Sequence, residues 1–254
     1  MPDVSLSSLG INAPKPAFAP SSQSVSETSG SFEGFIRNNS SFEEGFPQTP
    51  NGIPSAFLSH SNLGDSGLIQ WSRTLADHGY EALFLAHNGI GQAGLSALAK
   101  QLETDQTVKH LILSQNQLTD FAIAGLADML KVNHEIGWLV LNGNQIGNVG
   151  AQTLAQGIVH NQGLKHVILA DNHIGDDGIQ ALAHALKGHP TLQSLFLQGN
   201  SFGNKGAKAL LDLISGPTKL KIIDIRNLSS PLDPALTALL KHAAENKGIR
   251  LVVN

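Results

Sequence analysis

Residues 164–182 read Leu164-Lys165-His166-Val167-Ile168-Leu169-Ala170-Asp171-Asn172-His173-Ile174-Gly175-Asp176-Asp177-Gly178-Ile179-Gln180-Ala181-Leu182. Two periods meet in this stretch. Val167 and Leu169 alternate with Ile168 and Ala170, the pattern of a short strand with one face turned inward. Beyond Gly178, Leu182 and Leu186 stand four apart, the spacing of an apolar helical stripe. Asn172 lies between the two halves.

The stretch recurs. Asn88, Asn116, Asn144, Asn172 and Asn200 lie 28 residues apart without a slip. Each follows an alternating apolar pair: Leu83 and Leu85, Leu111 and Leu113, Leu139 and Leu141, Val167 and Leu169, Leu195 and Leu197. A further apolar residue precedes each pair (Tyr80, Val108, Ile136, Leu164, Leu192), and another follows each Asn (Ile90, Leu118, Ile146, Ile174, Phe202). A fixed period of this size marks a stacked repeat architecture.

Each unit is a strand and a returning helix, so successive strands must run parallel. A helix is about 10 Å wide and a strand roughly 4.8 Å, so stacking them in register bends the array. The prediction is an α/β solenoid of 28-residue repeats, shaped as a horseshoe. Its parallel sheet lines the concave face and its helices the convex face. The repeated Asn falls where the strand ends and turn amides lack ladder partners. Its side chain carries donor and acceptor groups that can bridge neighbouring coils. Gly94, Ala122, Gly150, Gly178 and Gly206, four residues before the helical stripe, are expected to let the first turn approach the sheet.

The ends are atypical, as caps of a repeat array are. Ile223 with Ile225 and Leu251 with Val253 keep the 28-residue register, whereas Asn227 arrives one residue early, marking a degenerate unit. Asp233-Pro234 reads as a helix start, Gly216-Pro217 as a stop, and Ile249–Val253 as a final edge strand. An incomplete unit begins near Phe57, and Trp71 and Leu75 continue its helix. Residues 1–54 are rich in Ser, Pro and Gly, lack either period, and are expected to be a disordered leader before a repeat domain over 55–254. Within the leader, Ser31-Phe32-Glu33-Gly34-Phe35 and Ser41-Phe42-Glu43-Glu44-Gly45-Phe46 form a loose duplication, either a product of biased composition or a docking motif with two aromatic anchors per copy.

Composition narrows the function. Net charge is −4, with no basic run, which argues against nucleic acid as partner. There is no cysteine, so disulfides, thiolate metal sites and thiol nucleophiles are excluded. The N-terminus lacks a conventional secretion signal, and no run is long enough to span a bilayer. The expectation is a monomer in the cytoplasm, or one delivered into a host cell by another route.

The pattern Leu164-x-x-Val167-x-Leu169-x-x-Asn172-x-Ile174-Gly175-Asp176-x-Gly178-x-x-x-Leu182 resembles the ribonuclease-inhibitor type of leucine-rich repeat. The resemblance covers roughly residues 56–254. Similar repeats occur in ribonuclease inhibitors, the sensor ends of NOD-like receptors, GTPase-activating proteins for Ran, and bacterial effectors delivered into eukaryotic hosts. A short cysteine-free array behind a Ser/Pro-rich leader is similar to the effectors. The resemblance implies a protein-binding module of unknown partner, not an enzyme, with the concave face as its site. The alternative it implies is a regulator of an enzyme, such as an inhibitor or GTPase activator. Against the latter, the Ran-type activators use an arginine beside the sheet and an acidic tail. This chain has no such tail, and Arg226 is the one arginine expected near the concave rim.

Outward strand positions have no folding duty in this scheme. The middle row reads Phe84, Ile112, Val140, Ile168 and Phe196, an apolar stripe facing water. The row before it contains His110, Trp138 and His166. These eight residues are the candidate partner-binding set, because a contiguous exposed apolar patch tends to mark an interface and aromatic residues anchor such sites. The opposing account is that β-branched and aromatic residues simply favour strands. His110 and His166, about 10 Å apart, are too distant to share one metal ion unaided. His184 and His189 are read as scattered, without ligand spacing. No cofactor, metal or catalytic set is expected.

Overall fold

The computed structural model describes residues 54–254. The expected disorder of the leader and its paired aromatic motif lie outside the described residues. Eight three-residue strands alternate with seven α-helices: β1 (Ser55–Phe57), α1 (Gly64–Ser72), β2 (Ala82–Phe84), α2 (Gln92–Leu102), β3 (His110–Ile112), α3 (Ile123–Val132), β4 (Trp138–Val140), α4 (Asn148–Ile158), β5 (His166–Ile168), α5 (Asp176–Leu186), β6 (Ser194–Phe196), α6 (Asn204–Ser215), β7 (Ile222–Asp224), α7 (Pro234–Asn246) and β8 (Arg250–Val252). The strands form one parallel sheet in sequence order, leaving β1 and β8 as edges. From β2 onward the register offset is 28 residues at every step.

Inward strand residues and helical stripes share one buried cluster running the length of the array. Two boundaries differ from expectation. Leu75 belongs to a separate 3-10 turn, Leu75–Asp77, rather than to α1, and the last strand is shorter than Ile249–Val253. Asp233 caps α7 by accepting from Leu236 N at 3.0 Å, with Pro234 in the first turn. Among the described residues no helix is long and apolar enough to cross a membrane.

Three polar ladders tie the coils together. The repeated asparagines form the first. Asn116 Oδ1 accepts from Asn88 N and Ile90 N of the preceding coil at 2.9 and 3.1 Å. Its Nδ2 donates to Leu85 O of that coil and to Leu113 O of its own, both at 3.0 Å. The residue just before each Asn adopts a left-handed backbone: His87, Gln115, Gly143, Asp171, Gly199 and Asn227 all have φ between 51° and 72°. This series corrects the reading of Asn227. It is not a displaced ladder residue. It occupies the left-handed position in register, and Leu228 packs against the core at the ladder position.

The second ladder caps helices across coils. Asp176 Oδ1, in the first turn of α5, accepts from Gly203 N and Gly206 N at the start of α6, at 2.9 and 2.6 Å. Asn148 does the same for Gly175 and Gly178, and Asp65 for Gly91 and Gly94. The glycines are therefore small for a different reason than close approach to the sheet. A Cβ on Gly150 would lie 2.5 Å from Asp120 Oδ1, and one on Gly94 would lie 2.7 Å from Asp65 Oδ1. At the unit with Ala122, Gln92 stands where the capping residue would be, and the coil opens with a 3-10 turn, Asp120–Ala122.

The third ladder runs at the start of each strand segment. Asn133 Nδ2 donates to Leu102 O at 2.7 Å, and Asn161 Nδ2 to Leu130 O at 2.8 Å. His189 takes the next position, with Nε2 3.3 Å from Ile158 O and Nδ1 accepting from Leu192 N at 3.2 Å. His189, read from the sequence only as lacking ligand spacing, is thus a buried structural residue.

Candidate functional site

Pleating places residues two apart on the same face of the sheet. The register then aligns Phe57, Phe84, Ile112, Val140, Ile168, Phe196 and Asp224 in one outward row. Ser55, Ala82, His110, Trp138, His166, Ser194, Ile222 and Arg250 form the row beside it. All eight candidate residues fall on this face. Six of them, all but His110 and His166, belong to a second apolar cluster, distinct from the core and containing no helix residue.

The row extends further than the sequence suggested. Phe57 stacks on Phe84 with centroids 4.9 Å apart. At the other end the apolar row stops at Asp224, which is buried and paired with Arg226 through Nη2–Oδ2 and Nε–Oδ1 contacts of 2.7 and 3.1 Å. Arg226 is also not the sole arginine on this face, since Arg250 occupies the row of Ile222.

The aromatic centre is a sandwich. Trp138 stacks on His166 with centroids 3.6 Å apart and contacts His110 at 6.1 Å. His166 Nδ1 lies 3.0 Å from Ser194 Oγ. Burial first, then the positive charges at Lys165, His110 and Lys221, lower the His166 pKa to about 4. Burial likewise pushes His110 down, opposed by Glu81. Both imidazoles are therefore neutral near pH 7. Among the described residues no group of three or more His, Asp or Glu is arranged to hold a metal ion.

The expectation that the stripe faces open water is corrected. Ile112 and Ile168 are 0% exposed, Trp138 is 7% exposed, and only Phe57, at 57%, is open. Among the described residues the helices turn their apolar faces to the other cluster, on the opposite side of the sheet. A cleft of about 250 Å³ lined by Leu75, Gln101, Asp105 and Gln106 sits away from this face, among the turns that follow α1 and α2.

Four segments of the chain, residues 81–99, 139–155, 160–183 and 188–211, match a family model described as Leucine Rich repeat. No curated protein matches the sequence. Among solved structures the chain is similar to leiomodin-1 actin-binding site 2. Identity is 17% and the TM-score 0.44, over 52% of this chain and 78% of that one. It is also similar to a TDR receptor, at 14% identity and a TM-score of 0.23, over 73% of this chain and 45% of that one. Neither likeness is close enough to indicate a partner.

Proposed function

We propose that this curved leucine-rich-repeat solenoid binds a partner protein on the concave face of its sheet, through Phe84, His110, Ile112, Trp138, Val140, His166, Ile168 and Phe196. One observation carries the reading. These residues form or flank an apolar cluster that the core does not include, so packing of the core does not account for it. Large aromatic side chains at the middle of such a patch are the usual anchors of protein recognition. The resemblance to translocated bacterial effectors favours a host protein as the partner. A GTPase-activating role is the weaker form, because Asp224 holds the Arg226 guanidinium through two nitrogens.

The test is affinity for a partner recovered with the full chain. Trp138→Ala and Ile168→Asp are expected to weaken binding roughly 5- to 150-fold, matching about 1–3 kcal/mol for an anchor, with far-UV circular dichroism unchanged. Wild-type affinity in both folded variants overturns the placement.

A further inference from the structure

We infer that the partner of the concave face is an acidic protein segment. Its carboxylates lie along the strand-entry rim of the C-terminal coils, while its apolar side chains rest on Val140, Ile168 and Phe196. This rests on the binding role proposed above and adds the chemistry of the partner.

Charge is divided along the array. Residues 54–164 carry four Lys and Arg against eight Asp and Glu, whereas residues 165–254 carry ten against seven. The division is sharpest where the chain passes from a helix into the next strand. The connections 73–81, 103–109 and 133–137 lead into β2, β3 and β4. They hold five acids, Asp77, Glu81, Glu103, Asp105 and Glu135, and two bases, Arg73 and Lys109. The connections into β5 to β8 hold Lys165, Lys187, Lys219, Lys221 and Lys247 and no acid, and Arg250 opens β8. All six cations are exposed. Among the described residues none of the six has a carboxylate partner, whereas Lys100, Lys109 and Lys131 of the earlier coils are each paired.

Helix ends do not explain the cations. A helix C-terminus favours positive charge, and Lys187 and Lys247 directly follow α5 and α7. Glu103 stands at the same place after α2, so helix polarity sets no rule for these positions. Lys165 and Lys221 lie instead at strand entries. Gln193 N donates to Lys165 O, Lys221 N to Gln193 O and Arg250 N to Lys221 O, all at 2.7 Å, which sets these residues in one line across β5 to β8. The line spans three strand spacings, about 14 Å. Lys165 and Lys221 also depress the pKa of His166, so their charge reaches the Trp138 sandwich. Along the strand, Lys165 precedes Ile168 by three residues, roughly 10 Å.

The face therefore offers a cationic stripe beside an apolar one, about a helix diameter apart. The two outward rows contain one carboxylate, Asp224, and Arg226 holds it. Unpaired cations on a recognition face draw in a partner of opposite charge and fix its orientation. Nucleic acid fits less well, because the row beside the cations is apolar and the whole chain is negative.

The test uses the full chain and random twelve-residue peptides displayed on phage. Enriched peptides are synthesised with a fluorescein label and titrated by anisotropy at 50 and 300 mM sodium chloride. They are expected to combine several Asp or Glu with aliphatic or aromatic residues, and to bind at least threefold more weakly at the higher salt. Lys165→Glu with Lys221→Glu is expected to weaken them at least tenfold, with circular dichroism unchanged. Lys208→Glu with Lys241→Glu, an equal charge change at exposed helical positions, should alter affinity less than twofold. Absence of enrichment, enriched peptides without an acidic excess, or equal losses in the two double variants would each overturn the assignment. So would rim-dependent binding of a uridine 20-mer or of phosphatidylserine vesicles that is tighter than that of any peptide. Neutral apolar peptides that require Trp138 would overturn the acidic chemistry and leave the concave role standing. Acidic peptides that require Lys165 and Lys221 but tolerate Trp138→Ala would support the chemistry and overturn the concave placement.

Discussion

Trp138 and His166 lie face to face, their rings 22° from parallel, and His166 in turn reaches Ser194 across the next strand pair. The contact suits a neutral imidazole, and the low pKa of His166, about 4, follows mainly from burial. An unfolded chain takes up this proton near 6.5. Between pH 6.5 and 4 the unfolded state binds more protons, so stability falls as pH falls through that window. Each pH unit well inside it costs up to about 1.4 kcal/mol. Urea unfolding at pH 7, 5.5 and 4.5 checks the slope, and nuclear magnetic resonance titration of the ring checks its origin. A His166 that titrates near 6.5 in the folded chain contradicts the buried, stacked arrangement.

Asp176 is expected to stabilise the helix after its own. Asp176→Ala removes the acceptor for Gly203 N and Gly206 N and should cost about 1–2 kcal/mol, the usual magnitude of a lost cap. Asp176→Asn should retain most of it, because Asn148 already fills the same role for Gly175 and Gly178. Thermal unfolding of the two variants gives the comparison. Equal losses would show that charge, not the shared acceptor geometry, matters.

Gly150→Ala should destabilise, against the ordinary helical preference for alanine of about 1 kcal/mol. The added methyl would meet Asp120 Oδ1 at 2.5 Å and the Ile146 side chain at 2.9 Å. Overpacking of this kind costs about 1–3 kcal/mol. An unchanged or raised melting temperature would mean that the capping carboxylate can move aside freely.

His189→Asn should be neutral or slightly stabilising at pH 7 and more so in acid. Asn133 and Asn161 make the equivalent bonds at 2.7 and 2.8 Å, against 3.3 Å for His189. Burial lowers the pKa of His189, so the wild-type residue loses stability as pH drops below its unfolded value. The pH dependence of denaturant midpoints for the two proteins decides this. A clear loss at pH 7 would show that the imidazole fills space an amide cannot.

The repeat skeleton is legible in the sequence because the core admits only apolar side chains at fixed positions. Leu139 and Leu141 or Val167 and Leu169 announce it unaided. The capping ladder is not. Asp176 joins Gly203, 27 residues on, yet in its own segment it looks like any acid at a helix start. The left-handed series is hidden for a similar reason. His, Gln, Gly, Asp and Asn all occupy it, so a backbone requirement leaves no single residue type behind. Asn227 is misread until that series is visible. The concave residues could be placed on their face from alternation alone. Their solvent access could not, because it depends on the side chains that the sheet register sets beside Ile112 and Ile168 rather than on their neighbours in sequence.

The capping bonds give the array a grain. Each helix from α4 to α6 takes an acceptor from the coil before it and lends one to the coil after it. Deleting a coil at the C-terminal end leaves the capping of the preceding helix intact, although it takes away the asparagine acceptor of the coil before it, as Asn116 Oδ1 serves Asn88 N and Ile90 N. Deleting one from the N-terminal side deprives the amide donors of the next helix of their acceptor, so loss of capping should travel toward higher numbers while loss of the asparagine ladder travels toward lower ones.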